Sequence, residues 1–315
     1  MRGRGNMKAK AEKKKSLWRE IWKNKAVYLI MLPGIAWFVL FAYGPMSGLQ
    51  LAFKTYSMKL GIWGSPWCGL ENFEYVFRDP SFLKSVGTTL WINAGRLIFQ
   101  FPIPVILALL MNELRLKRYK KVVQTVLTFP QFLSWVIVAS IVINILSYDG
   151  LVNSIIAAMG GETVNFTGNA QLFQPLLYIT ENWKSAGWSA IIYMAAISGI
   201  DMDQYEAADL DGASRLQKIF RITLPNILPT ISVMFVLQMG SLMSGGFDQI
   251  FNLSNPAVKD VSEILDMYIY DITFGSTPDF SFSTAVSFFR SVVNCAFLVA
   301  ADRGAKALGG SGLFG

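Results

Sequence analysis

The chain has 315 residues and a net charge of +7, with 53% of it hydrophobic and only 16% charged, against about 25% charged in an ordinary soluble domain. That deficit argues for a membrane protein over a basic soluble one, and no nucleic-acid motif accompanies the positive charge. Histidine is absent and the two cysteines, Cys68 and Cys295, lie far apart. Histidine-based catalysis or metal ligation is therefore excluded, and there is no cysteine metal motif and no phosphate-cradling GxxxxGK[ST] loop.

Taken in chain order, the first 25 residues, MRGRGNMKAKAEKKKSLWREIWKNK, hold ten Lys or Arg. Residues 12–25 are amphipathic enough to lie on a membrane surface. The apolar run 26–53 is longer than the core of a signal peptide and about long enough to cross ~30 Å of hydrocarbon, so it is expected to be a retained first span. Five more spans are expected at about 86–111, 122–146, 175–199, 226–246 and 283–301. Prolines 33, 102, 104, 130 and 229 fall in or beside them, as membrane helices tolerate. The expected fold class is an all-α membrane protein with six transmembrane helices. It comprises a basic segment 1–25, a six-helix domain 26–303 and a tail 304–315.

Charge sets the orientation. With the N-terminus inside, segments 1–25, 112–121 (Arg115, Lys117, Arg118, Lys120, Lys121), 200–225 (Arg215, Lys218, Arg221) and the tail (Arg303, Lys306) carry 20 of the 28 Lys and Arg. The positive-inside rule then places both termini in the cytoplasm.

Between the fourth and fifth spans stands a polar stretch, YEAADLDGASRLQKIFRITLP. Asp201 with Gln204 reads as a capping-box start, and Gly212 as the turn that ends the first helix. The second helix is amphipathic, with Leu216, Ile219, Phe220 and Leu224 on one face and Arg215, Lys218 and Arg221 on the other. The residues leave two readings open: a narrow knob that enters a groove on another protein, or a loop lying on anionic headgroups.

The same stretch resembles the EAA loop of binding-protein-dependent ABC importer permeases: E-A-A, three residues, G, nine residues, I-x-L-P. Glu206, Ala207, Ala208, Gly212, Ile222, Leu224 and Pro225 match with spacing intact. GWSAIIYMAAISGI resembles the fourth span of the sugar-importing permeases, and the first span, GLENFEYVF and SFFRSVVNCAFLVAADRGAKAL resemble the branch that imports oligosaccharides released from polysaccharides, so the likeness covers most of the chain. The resemblance implies a non-catalytic permease subunit in the bacterial cytoplasmic membrane. It implies a cytoplasmic coupling helix-turn-helix at 201–225 that docks on a separate ATP-binding subunit dimer, with Glu206 making a charge-assisted contact. It also implies a second permease, expected to be a different chain, an extracytoplasmic solute-binding protein and an oligosaccharide substrate. Lipid surrounds the chain; no nucleic acid is involved. No cofactor is expected on this chain, ATP and Mg belonging to the partner ATPase.

The substrate path is less marked. Arg96, Glu181, Lys184, Asp248 and Arg290 are ionisable groups at or near membrane depth, where function is the default hypothesis. Each also has a structural reading; Glu181 and Lys184, three residues apart, suit a helix pair. Trp135, Asn144, Tyr148, Trp183, Trp188, Gln238 and Phe247 are of the types that line sugar sites, and equally of the types that form interfacial belts or packing. Two other classes compete. Amino-acid and peptide permeases share the loop. A self-contained secondary transporter would need its own ion coupling and usually shows internal repeats, and none is visible here.

Overall fold

The structure is a computed structural model that describes residues 22–114, 116–307 and 312–313. Among them it is helical, apart from one isolated antiparallel bridge between Lys54 and Trp67. The chain divides into two compact units, Met1–Gln50 and Leu51–Gly315. The amphipathic segment expected over 12–25 lies mostly outside the described residues, as does Arg115.

In the first unit, helix begins at Lys25 and continues through a π turn at Val39–Tyr43. The whole apolar stretch α1 (Lys25–Phe53) is 29 residues with mean hydropathy 2.0. No described residue of this unit is buried.

The second unit supplies α2 (Pro80–Phe99) and α3 (Pro102–Asn112), α4 (Lys117–Thr128) and α5 (Trp135–Leu146), α6 (Ala170–Ser198), α7 (Met202–Leu210), α8 (Arg215–Met239, carrying a π turn), α9 (Phe247–Leu253), α10 (Leu265–Phe274) and α11 (Phe280–Ala307). The starts follow local chemistry. Asp79 accepts from the Ser81 N–H at 2.8 Å ahead of Pro80, and Asn169 accepts from the Gln171 N–H at 2.8 Å. Each bond satisfies a donor that the first helical turn leaves free. Pro102 lacks an N–H, so the chain breaks at Gln100–Phe101 and restarts with proline at the first turn of α3.

Among the described residues, five helical stretches are long and apolar enough to cross a membrane: Lys25–Phe53, Pro80–Asn112, Trp135–Ala158, Arg215–Met239 and Phe280–Ala307. The expected fourth span, α6, is helical over 29 residues, ~43 Å at 1.5 Å per residue, but too polar to count among them. Its polarity has a cause in packing. α6 lies against α3, α4 and α8 and buries Thr180 and Lys184 together with Phe173, Leu177, Ala190, Tyr193 and Ile197.

Three expected spans differ in detail. The third, 122–146, is not one helix: a tight turn at Phe129–Phe132 and an extended Leu133 separate α4 from α5. The fifth stops at Met239 instead of running to 246. The last extends to Ala307, past the expected start of the tail at 304. The core has three centres: Phe82, Met243, Leu265 and Val286; Ile92, Phe173, Leu177 and Ile250; and Ala108, Ala190, Tyr193 and Ile227. Cys68 and Cys295 are free thiols.

Candidate functional site

Two places gather functional side chains. The first is the knob formed by α7 and the root of α8. Asp201 caps α7 by accepting from the Asp203 N–H at 3.1 Å. The reciprocal arm expected from Gln204 does not form, because its Oε1 accepts from Asn226 Nδ2 at 3.0 Å. The full capping box lies thirteen residues on. There Gln217 N–H donates to Ser214 Oγ at 3.3 Å and Ser214 N–H donates to Gln217 Oε1 at 2.7 Å.

Between the two helices Gly212 has φ +73°. Ala213 N–H donates to Ala208 O at 2.9 Å and Gly212 N–H to Asp209 O at 3.2 Å, the paired bonds that close a helix with a left-handed glycine. A Cβ on Gly212 would meet nothing within 4 Å, so only the backbone angle demands glycine there.

Three rungs brace the knob. Tyr205 Oη lies 2.8 Å from Thr223 Oγ1, Asp209 Oδ1 accepts from Lys218 Nζ at 2.6 Å, and Gln204 reaches Asn226 as above. The π turn at Ile219–Thr223 precedes Pro225, whose ring would otherwise crowd the carbonyl four residues back. The apolar face expected for the second helix is divided. Ile219 and Leu224 are half-buried, but Leu216 and Phe220 are exposed, as are Met202 and Leu210, the last at 90%. Of the motif residues, Ala208 and Ile222 are half-buried and Ala207 and Pro225 exposed. Glu206 is exposed, and among the described residues its carboxylate makes no hydrogen bond or ion pair.

The second place is a polar cavity of about 330 Å³ between α2, α3, α6 and α8. Asn93, Arg96 and Gln100 line one wall and Glu181, Asn182, Ser185 and Ser189 another; Gln238, Ser241, Ser244 and Gly246 also face it. It opens beside the break after Met239. Unwound backbone at membrane depth must find partners within the protein, and here it does. Asn93 Nδ2 donates to Leu242 O at 2.8 Å, Asn294 Oδ1 accepts from the Met243 N–H at 2.8 Å, and Asp266 Oδ2 accepts from the Gly245 N–H at 3.2 Å. Asp266 is in turn ion-paired with Arg290.

Arg96 is 5% exposed. Its Nη2 donates to Gln249 Oε1 at 2.7 Å and its Nη1 to Asn93 Oδ1 at 3.3 Å; Gln249 Nε2 donates to Leu177 O at 2.7 Å and Thr180 Oγ1 at 2.8 Å. Among the described residues, Arg96 Nε and Gln100 Nε2 are buried without an acceptor. Gly246, at φ +84°, makes room for the guanidinium: a Cβ there would stand 2.2 Å from Nη2.

The other sequence candidates scatter. Lys184 does not pair with Glu181; its Nζ donates to Gln131 O at 3.0 Å, at the break between α4 and α5, and sits 5.6 Å from the Trp135 ring centre. Trp188 meets Phe132 edge-on, Trp183 faces an apolar groove with Ile145 and Ile179, and Phe247 stacks on Phe251. Asn144 bonds its own helix at Ser140 O, Tyr148 lies exposed in a turn, and Asp248 is exposed at the start of α9. Of the seven expected sugar-path residues only Gln238 reaches the polar cavity. Asn93, Gln100 and Asn182 line the cavity without having been expected there: amides within apolar runs are a usable signal, but α6 also carries Gln171 and Gln174, which lie outside this cavity.

Residues 100–302 match the family described as the binding-protein-dependent transport system inner membrane component. The chain belongs to that family. The polygalacturonan/rhamnogalacturonan transport system permease protein YteP of Bacillus subtilis (strain 168) is 42% identical over 306 residues, covering 97% of this chain and 95% of that protein. The lactose transport system permease protein LacF of Rhizobium radiobacter is 28% identical over 227 residues, 70% of this chain and 74% of that one. A crystal structure of a bacterial alginate ABC transporter, in complex with an alginate pentasaccharide-bound periplasmic protein, contains a chain with TM-score 0.85 and 36% identity, covering 95% of this chain and 100% of that one. This permease-family chain is thus a multi-pass, all-helical membrane protein and a component of a transport system.

Proposed function

We propose that this chain is one permease subunit of an ATP-driven importer of oligosaccharides, that it forms half of the translocation path, and that its knob couples the path to a separate ATPase. The observation that carries this reading is the braced knob. Three hydrogen-bonded rungs fix its shape, while its surface carries Glu206, whose carboxylate has no partner among the described residues, and the exposed apolar side chains of Met202, Leu210, Leu216 and Phe220. Apolar side chains together with such a charge suit a protein groove that supplies an arginine or lysine. A rigid lever is what coupling requires, since ATP can bias one arrangement of the helices only through a contact that differs between states. In this reading the ATP-binding dimer holds ATP and Mg, both termini are cytoplasmic, and this chain catalyses nothing.

The rest of the assembly follows by the same reasoning. A first span with no buried residue from Lys25 to Gln50 is offered to lipid and to a second permease, which we take to be a different chain. The carbohydrate substrate and its extracytoplasmic binding protein are supported by the relatives' transport systems, and the polar cavity is the segment of the path that this chain contributes. The test is purification from native membranes in mild detergent. A second permease and an ATP-binding subunit should co-purify, and the complex in vesicles should import oligosaccharide only with ATP and binding protein. A chain that purifies alone and moves solute without ATP would contradict the proposal.

A further inference from the structure

The seam between α2 and α6 has a second opening, apart from the polar cavity. Three contacts set the register of the two helices. Trp91 Nε1 donates to Gln174 Oε1 at 2.9 Å, Gly95 lies against Tyr178, and Asn182 Nδ2 donates to Phe99 O at 3.4 Å. Each pair is 83 positions apart and each step is one helical turn, so the helices run parallel. Above the last of these turns the seam holds a groove of about 360 Å³, lined by Trp91, Gly95, Phe99, Gln171, Gln174 and Tyr178 among others. That volume falls in the roughly 300–1,000 Å³ range of ligand pockets. On α6 the polar residues Gln171, Gln174, Tyr178, Asn182, Ser185 and Ser189 recur every three or four positions, so they form one stripe. Its first three members line the groove and its last three line the polar cavity.

The groove is built for a flat ligand that carries hydroxyls. Trp91 is 67% exposed, yet it is not placed as an interfacial tryptophan, which spends its N–H on headgroups or water. The bond to Gln174 fixes the indole and leaves its ring uncovered. One turn on, a Cβ on Gly95 would stand 2.0 Å from Tyr178 Oη. Only glycine lets that hydroxyl reach into the seam, while the Tyr178 ring stacks on Phe99 at 5.6 Å. Among the described residues the Gln171 amide, Gln174 Nε2 and Tyr178 Oη make no hydrogen bond. Trp91 stands about 16 Å past Pro80 at 1.5 Å per residue, within the apolar stretch Pro80–Asn112. Unbonded amides facing lipid at that depth would be costly.

We propose that this groove is a sugar-binding station ahead of the polar cavity, where a pyranose ring lies on the Trp91 indole and its hydroxyls meet Gln171, Gln174 and Tyr178. A pyranose presents a face of C–H groups to an aromatic ring and hydroxyls at its edge, which is the pairing the groove offers. The α6 stripe then leads the sugar on toward Asn182, Ser185 and Ser189. The proposal rests on the importer reading and deepens it by naming a site and its contacts.

The experiment uses the whole transporter in proteoliposomes with its binding protein and ATP. The probes are labelled oligosaccharides cut from polygalacturonan, rhamnogalacturonan and alginate, and the one that wild type imports fastest is carried forward. The quantity read is sugar imported per ATP hydrolysed, which does not depend on the amount of folded transporter. Trp91→Ala should lower it about threefold to tenfold, the equivalent of one aromatic contact, with the ATPase rate held. Trp91→Phe, which keeps a flat ring, should lower it less, and Tyr178→Phe should lower it about threefold, as for one hydrogen bond. An unchanged ratio in Trp91→Ala overturns the proposal. So does a parallel fall in import and hydrolysis, since Trp91 would then be structural.

A second measurement serves should Trp91→Ala fail to assemble. Cys68 and Cys295 are the only cysteines. With both replaced by serine, Gln171→Cys should react with a charged, membrane-impermeant thiol reagent. Turnover with sugar-loaded binding protein should slow that reaction about threefold or more relative to the empty binding protein, the equivalent of a weakly occupied site. Equal rates overturn the proposal. A thiol that never reacts also overturns it, because lipid or a neighbouring helix then covers the groove. Import that persists with either negative result leaves the importer reading standing; failure of wild type to import any of the three probes with ATP overturns both.

Discussion

The knob and the cavity are built on different length scales. Every rung of the knob joins residues between 9 and 22 positions apart, and its turn is closed by backbone bonds within one helix end. The Arg96 network joins residues up to 153 positions apart and draws on α2, α6 and α9 together. The knob is largely exposed and is held by local geometry. The cavity is buried and is held by amide partners that each satisfy a neighbour. Damage to the knob should therefore cost function with little stability, and damage to the cavity wall should cost stability first.

Four substitutions test that division. Gly246→Ala should be the most damaging. Its Cβ displaces the guanidinium and its φ of +84° becomes strained, which combines about 1–2 kcal/mol of left-handed backbone cost with loss of a charged hydrogen bond. Thermal unfolding in detergent should show a lowered midpoint, and a midpoint equal to wild type would refute the packing described. Next comes Gln249→Leu, which removes the acceptor from Arg96 and should cost about 1.5–3 kcal/mol, the range for a hydrogen bond to a charged group, by the same measurement. Glu206→Ala should leave the midpoint unchanged and weaken binding of the ATPase about tenfold to a hundredfold, the equivalent of one charge-assisted bond. Gly212→Ala should cost only about 1–2 kcal/mol locally, since its Cβ enters open space. It should show as faster amide exchange over 208–215 with the rest of the chain unaltered.

A smaller effect lies between α2 and the segment ahead of α10. Lys84 Nζ donates to Asp260 Oδ1 at 2.7 Å, and this bond, with the ammonium charge, holds the Asp260 carboxyl below its ordinary pKa. A lowered folded pKa means that the stabilisation is present at neutral pH and is lost as pH falls through that value. Because the group is exposed the change should be slight. Asp260→Asn should flatten the acid limb of the stability curve by slightly lowering stability near pH 7 while leaving it unchanged at acid pH.

What the sequence made legible follows the same division. The knob could be read because its determinants, Asp201, Gly212, Ser214 and Pro225, act on neighbours within a turn or two. Even there the capping box fell at Ser214 and not at Asp201, because Gln204 had a competing partner in Asn226, 22 residues away. The apolar runs gave the helices, but the stop at Met239 was hidden. Ser241, Ser244, Gly245 and Gly246 are all tolerated in a membrane helix, and only Asn93, Asn294 and Asp266, contributed by other helices, make an unwound chain affordable. Lys184 looked like half of a helical pair with Glu181, but the carbonyl of Gln131 at the break in the third span was the nearer acceptor. The aromatic candidates lie outside the polar cavity for a similar reason. Trp135, Trp183 and Trp188 have the right chemistry for a sugar, and the fold turns them to other surfaces.

The most direct test of the central claim is ATP hydrolysis by the purified complex in lipid nanodiscs, with and without sugar-loaded binding protein, for wild type and Glu206→Ala at matched folded content. The account predicts strong stimulation in wild type and its loss in the variant, with the permease unfolding at the same temperature in both. Stimulation that survives Glu206→Ala unchanged would contradict the role assigned to the knob.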